Sequence, residues 1–149
     1  MMTSKKIKIH YQFATAKGKT RGGNVEIKKR ENFISKYLSK QIKKIDIMHC
    51  SSSVRTVETS KFFKSEISFG KIFYDDNLYH SSSNLILELI KNYSEKYSSL
   101  LILAHNPGLT NLLNNLTKAN LDNLPTAGLA FIEFNCMHWK DICRDNSLS

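Results

Sequence analysis

The chain is poor in the residues that break a fold or staple it. Its 149 residues include only six glycines, two prolines and three cysteines. That leaves little material for linkers, and with no internal repeat the expectation is one domain over residues 1–149. Cys50, Cys136 and Cys143 make no disulfide framework, and a reducing cytoplasm is the simplest setting for them. No apolar run approaches the ~20 residues of a membrane span. "MMTSKKIKIH" has no apolar stretch after its lysines, so a secretory signal is not expected. Arginine is scarce as well: of 22 basic residues, only Arg21, Arg30, Arg55 and Arg144 are arginines.

Net charge is abundant. Thirteen acidic residues against 22 basic ones give +9, which favours an anionic partner such as a phosphorylated group, an acidic protein face or nucleic acid. Bidentate recognition of bases and phosphates prefers arginine. A surplus made of lysine fits general solubility better, and sequence-specific nucleic-acid binding is not expected.

Hydrophobic periodicity supplies the elements. "KIKIHYQFA" alternates Ile7, Ile9, Tyr11 and Phe13 with polar neighbours and predicts a first strand. "TAKGKTRGGN" is a basic loop almost without apolar residues. Asn24 is placed to cap a helix over about residues 25 to 41, with Ile27, Phe33, Ile34, Tyr37, Leu38 and Ile42 near one face. Lys28, Lys29, Lys36, Lys40 and Lys43 fall mostly on the other, solvated face. "IDIMHC" reads as a strand, followed by a serine cap and the helix "SVRTVETSKFF". "KIFYDDNLY" reads as a brief strand and turn, and "SNLILELIKNYSEKY" as an amphipathic helix. "SLLILA" is apolar on both faces, as a buried parallel strand requires. Asn106 and Pro107 then start another helix, with Pro107 at its first position. "LAFIEFN" and "HWKDIC" are close enough to pair as a hairpin, and Phe131, Phe134 and Trp139 read as core. Strands alternating with helices predict an α/β three-layer sandwich on a mainly parallel central sheet.

In such sheets ligands bind beyond the carboxyl ends of the strands, where helix N-termini offer N–H groups and positive dipole ends. Two junctions carry side chains suited to an anion there. "IDIMHCSSSVR" places hydroxyls and Arg55 just past a strand, and "ILAHNPG" places His105 at a strand's end. Arg55 can grip a phosphate with two parallel hydrogen bonds; His105 can donate to a phosphate oxygen or move a proton. Each also has a plain structural reading, as a surface arginine and as a hydrogen-bonded strand-end histidine. Their coincidence at one sheet edge favours the functional one. "GKT" at 18 to 20 is not a nucleotide-binding loop, because Phe13 stands where that loop needs a glycine. His49 and Cys50 end a strand beside the same edge, Cys50 as a small buried residue. Cys136, His138 and Cys143 lack zinc-site spacing and a fourth ligand, so no metal is expected.

Taken in order, "IDIMHCSSSVRTVETSKFF", "DNLYHSSSNLILELI", "LLILAHNPGLTNLL" and "LPTAGLAFIEFN" resemble the histidine phosphatase superfamily, and within it the small bacterial phosphohistidine phosphatases of the SixA type. The resemblance spans about residues 25 to 140. The family's Ser-Ser-Pro-Ala-x-Arg-x-x-x-Thr is matched by Cys50-Ser51-Ser52-Ser53-Val54-Arg55 with Thr59 beyond. Its Gly-His-Asn-Pro-Gly is matched by Ala104-His105-Asn106-Pro107-Gly108, the more specific match, and its Pro-Thr-Gly/Ala by Pro125-Thr126-Ala127-Gly128. The resemblance implies a phosphatase without metal or other cofactor, acting on phosphohistidine in a protein. Arg55 matches the second phosphate-holding arginine and His105 the second histidine. Asp75, Asp76 or His80 lie where a general acid would come from.

One motif departs. The family nucleophile follows an arginine at the end of the first strand, and no Arg-His pair occurs anywhere in this sequence. A gapless placement puts Gln12 and Phe13 there, and phenylalanine cannot carry a phosphoryl group. A shifted placement offers His10, three residues earlier and without the arginine. Residues 1–24 are thus a diverged strand and basic loop. Two readings follow: a phosphatase impaired at its nucleophile or using His10, and an inactive binder of phosphate or phosphoprotein, with Lys17, Lys19 and Arg21 partly replacing the lost arginine. A third, a basic RNA-associated domain, predicts steep salt dependence and indifference to Arg55. The oligomeric state is left open.

Overall fold

The computed structural model describes residues 5–11, 32–118, 120–122 and 129–147. Its organising element is the strand β4 (Ser99–Ala104), buried at every position. A strand apolar on both faces must lie inside a sheet covered on both sides. β4 pairs in parallel with β1 (Lys5–Tyr11) and with β2 (Lys44–Ser51). β2 pairs in parallel with β3 (Ser68–Asp75), and β1 pairs antiparallel with β5 (Leu129–Phe134). The order is β3-β2-β4-β1-β5, four parallel strands with one antiparallel edge. This is the α/β sandwich on a mainly parallel sheet that the strand–helix alternation predicts.

Each face has its own core. On one, Leu100, Ile102 and Ala104 of β4 pack with Ile47 against α3 (Ser83–Lys91), α4 (Gly108–Leu116) and Trp139. On the other, Leu101 and Leu103 pack with Met48 and Cys50 against Leu38 of α1 (residues 32–41) and Phe63 of α2 (Val54–Glu66).

The inner faces of α1 and α2 are lined by hydroxyls rather than large apolar groups. α2 buries Thr56, Thr59, Ser60 and Phe63, the i, i+3, i+4, i+7 spacing of one helix face. Each of its buried hydroxyls is satisfied within the chain: Thr59 Oγ1 donates to Arg55 O at 3.0 Å and Ser60 Oγ to Val57 O at 2.6 Å. α1 does the same with Ser35 and Ser39, which donate to the carbonyls of Asn32 and Lys36. These small side chains let the helix rest on Ser35, Leu38 and Ser39. Phe33 and Tyr37, expected on the inner face, are instead 68% and 51% exposed. Lys36, Lys40 and Lys43 are exposed, while Asn24, Ile27, Lys28 and Lys29 lie outside the described residues.

Other boundaries shift for local reasons. β3 starts at Ser68, three residues before "KIFYDDNLY", because it pairs with β2 from that residue on. α3 stops at Lys91, where the Asn92 side chain bonds the Glu88 carbonyl at 2.7 Å. α4 begins at Gly108, one residue after the expected Pro107. The terminal hairpin does not form. "HWKDIC" makes a 3-10 turn at Trp139–Asp141, which carries the Trp139 ring into the core. The ring is fully buried, and Nε1 donates to Tyr97 O at 3.0 Å. Phe134 is buried too, and the side chain of Phe131 lies outside the described residues. Among the described residues no helix is long and apolar enough to cross a membrane.

Gly108 marks a close approach. A Cβ there would lie 2.4 Å from the Ser81 carbonyl oxygen and 3.4 Å from Ile86 Cδ1. Only glycine lets the segment before α3 cross the start of α4 at this separation. Gly108→Ala is therefore expected to cost about 1–3 kcal/mol through overpacking, read as a lowered urea midpoint with unchanged slope.

Candidate functional site

The carboxyl ends of the parallel strands lie side by side, and the register sets which residues meet there. Cys50 of β2 is level with Leu103, and Tyr11, the last residue of β1, is level with Ala104. His105 follows immediately. Its ring is buried, 8% exposed, and Nε2 lies 2.9 Å from Ser51 Oγ at the end of β2. Ser51 Oγ in turn accepts from the Ser53 N–H at 3.3 Å. Ser53 is the N-cap of α2, and Arg55, half-buried, is the second residue of that helix. The two junctions singled out in the sequence are thus joined by a hydrogen bond between His105 and Ser51. In the sequence Ser51 is one of a group of hydroxyls with nothing to single it out.

Several donors at the helix starts here already have partners. Asn106 Oδ1 accepts both the N–H and the Oγ1–H of Thr110, at 3.0 and 2.8 Å. Leu109 N–H donates to the His105 carbonyl, and Ser53 Oγ accepts from Thr56 N–H. These donors are engaged by caps, so an anion at this edge would rely on side chains and the helix dipoles more than on these N–H groups.

His10 is level with Leu103 on one side and Leu129 on the other. It therefore sits within β1, one position short of the strand's end and two short of the level of His105. Gln12 and Phe13, Lys17, Lys19 and Arg21, and Pro125 to Gly128 lie outside the described residues.

A second polar group lies beside this edge. His49, 8% exposed on β2, places Nε2 2.8 Å from Asp75 Oδ2, while Nδ1 bonds the Tyr93 hydroxyl. Burial works against the Asp75 charge. Hydrogen bonds from His49 and the Asn77 backbone, with the pull of the His49 charge, outweigh it and hold the carboxyl below its usual range. An ionised carboxylate only accepts, so the hydrogen bond to Asp75 comes from a protonated Nε2. Burial, reinforced by the nearby Asp75 charge, pushes the Tyr93 hydroxyl up, which keeps it protonated. Asp75 is therefore a poor general acid. Asp76 accepts from Ser52 Oγ, and His80 is exposed, stacked edge-on against Tyr79 with ring centroids 4.5 Å apart.

Cys50 is buried, and loss of solvation pushes its thiol up to about 12, too high for a nucleophile at neutral pH. No three His, Cys, Asp or Glu side chains gather in a metal-holding group among the described residues. His138 Nδ1 lies 3.1 Å from Glu95 Oε2, so it serves the C-terminal turn.

No protein-family model and no curated protein matches the chain by sequence. Solved structures do match it in fold. A protein named as the phosphohistidine phosphatase SixA of Nakamurella multipartitia superposes with TM-score 0.70 at 16% identity, covering 95% of this chain and 92% of that one. The protein histidine phosphatase SixA complexed with tungstate gives TM-score 0.70 at 15% identity, over 87% and 88% of the two chains. A phosphoglycerate mutase from Plasmodium falciparum gives 0.61 at 15% identity, over 88% and 92%. The chain thus has the histidine phosphatase fold.

The Asp75 pair has a pH signature. A carboxyl held below its unfolded value of 3.8 adds stability above that value and loses it as pH falls through the folded one. Between about pH 5 and about pH 3, Asp75→Asn is expected to lose less stability than the wild type, measured by urea midpoints at each pH. Parallel loss in both would remove the pair from the acid transition.

Proposed function

We propose that this chain is a phosphohistidine phosphatase-like protein that holds the phosphoryl group of a phosphorylated protein at the carboxyl edge of its sheet and turns it over poorly. Arg55 and His105 are the phosphate-binding residues in this reading. The observation that carries it is the His105–Ser51 hydrogen bond, which joins the two anion-suited junctions on a fold shared with proteins named SixA. One of those is complexed with tungstate, a tetrahedral oxyanion like phosphate. The net charge of +9 favours the approach of such a partner.

Poor turnover follows from the first strand. In-line transfer needs a group that can carry the phosphoryl, and the position that matches the family nucleophile is Phe13. The register of His10 with Leu103 sets it back along β1, which weighs against its taking over. In the limit of no turnover the chain is a binder of phosphohistidine, the second reading open from the sequence. Three cysteines without a disulfide fit the cytoplasm.

Phosphate release from a phosphohistidine-bearing protein, measured beside phosphate binding by titration calorimetry, tests this. Wild type should bind phosphate and release it from the phosphoprotein slowly or not at all. Arg55→Ala and His105→Ala should each weaken binding about 10- to 100-fold, the worth of a charge-assisted hydrogen bond. Brisk release abolished by His10→Ala would replace impairment with a moved nucleophile. Binding indifferent to Arg55 but steeply salt-dependent toward RNA would overturn the proposal.

A further inference from the structure

The segment from Asp75 to Ser82 crosses the mouth of this edge and is held at three points. At its start the Asp75 carboxylate takes hydrogen bonds from His49 and from the Asn77 N–H at 2.9 Å, and the Asp75 carbonyl accepts from Ser52 N–H. In the middle Leu78 is wholly buried. At its end the Ser81 carbonyl lies against Gly108, with no room for a Cβ between them. Between these anchors stands Tyr79. Its ring centroid is 5.5 Å from that of His105 at an interplanar angle of 41°, and His80 flanks it. Yet Tyr79 is 45% exposed. A large aromatic ring left half in water, on a segment anchored on both sides of it, is a preorganised surface beside the proposed phosphate-holding histidine.

We infer that Tyr79 is a specificity-determining residue of this site, its ring receiving a flat ring that carries the phosphoryl group. Phosphate borne on an imidazole or a phenol then binds in preference to phosphate on an aliphatic side chain such as serine. The inference rests on the phosphoryl-binding reading above. It adds that selectivity comes from a ring contact outside Arg55 and His105. Stacked or edge-on aromatic pairs favour the ring-borne ligand by about 3- to 10-fold. The phenolic edge of Tyr79 is not needed for this, only its face.

The test is titration calorimetry of the full chain with inorganic phosphate, phosphoimidazole, phenyl phosphate and O-phosphoserine. The two ring ligands should bind about 3- to 10-fold tighter than O-phosphoserine, and the arm that binds tighter separates imidazole from phenol. Tyr79→Ala should bring the ratio close to one, and Tyr79→Phe should keep it. Circular dichroism of both variants checks that the fold is retained. Ring ligands no tighter than O-phosphoserine, with phosphate itself bound, would overturn this inference and leave the phosphate site standing. So would a ratio that survives Tyr79→Ala. No binding of inorganic phosphate by wild type would overturn both.

Discussion

Burial of β4 on both faces is the constraint from which the other features follow. Six consecutive buried residues cannot be covered by one layer, so helices must pack above and below. Each fully buried aliphatic side chain of β4 is worth about 1.5–3 kcal/mol relative to exposure. Being central, the strand ends in the middle of the sheet's carboxyl edge. The residue that follows it, His105, is flanked by the ends of β1 and β2 whatever their sequences are. The place of the candidate site is therefore a consequence of where the apolar run stops.

Polar groups at that edge are buried enough to need partners, since an unsatisfied buried polar atom costs more than a hydrogen bond returns. His105 meets Ser51, and His49 meets Asp75 and Tyr93. The two groups do different work. The first joins β2 and β4 at the point where Arg55 enters α2. The second keeps an ionised carboxylate at the root of the segment that carries Tyr79, and so links the edge strand β3 to the wall of the site. Asp46 plays a comparable part at the opposite end of the sheet, accepting from Ser98 N–H and Oγ–H and from Ser99 N–H at 2.7, 3.1 and 3.3 Å.

Helices lined by hydroxyls are the least expected feature of the packing. Ser35, Ser39, Thr56, Thr59 and Ser60 are buried where larger apolar residues would be looked for. Their hydroxyls turn back to carbonyls three or four residues earlier in the chain. That removes the desolvation penalty and brings the helices close to the sheet. It also makes α2 nearly invisible to a hydrophobicity pattern, although its cap, Ser53, is plain.

Local chemistry in the sequence was enough to determine the alternation of strands and helices, the burial of "SLLILA", the serine cap of α2 and the placing of Arg55 and His105 at strand-to-helix junctions. Each depends on residues close together in the chain, where periodicity and capping act. Tertiary structure alone decided the rest. The rotation of α1 that exposes Phe33 and Tyr37 depends on how closely Ser35 and Ser39 approach the sheet. The fate of "HWKDIC" depends on the core space open to Trp139. The meetings of His49 with Asp75 and Tyr93, of His105 with Ser51 and of Tyr79 with His105 join residues 26 to 54 positions apart. No local pattern encodes such contacts, because they exist only once the sheet has brought the strand ends together.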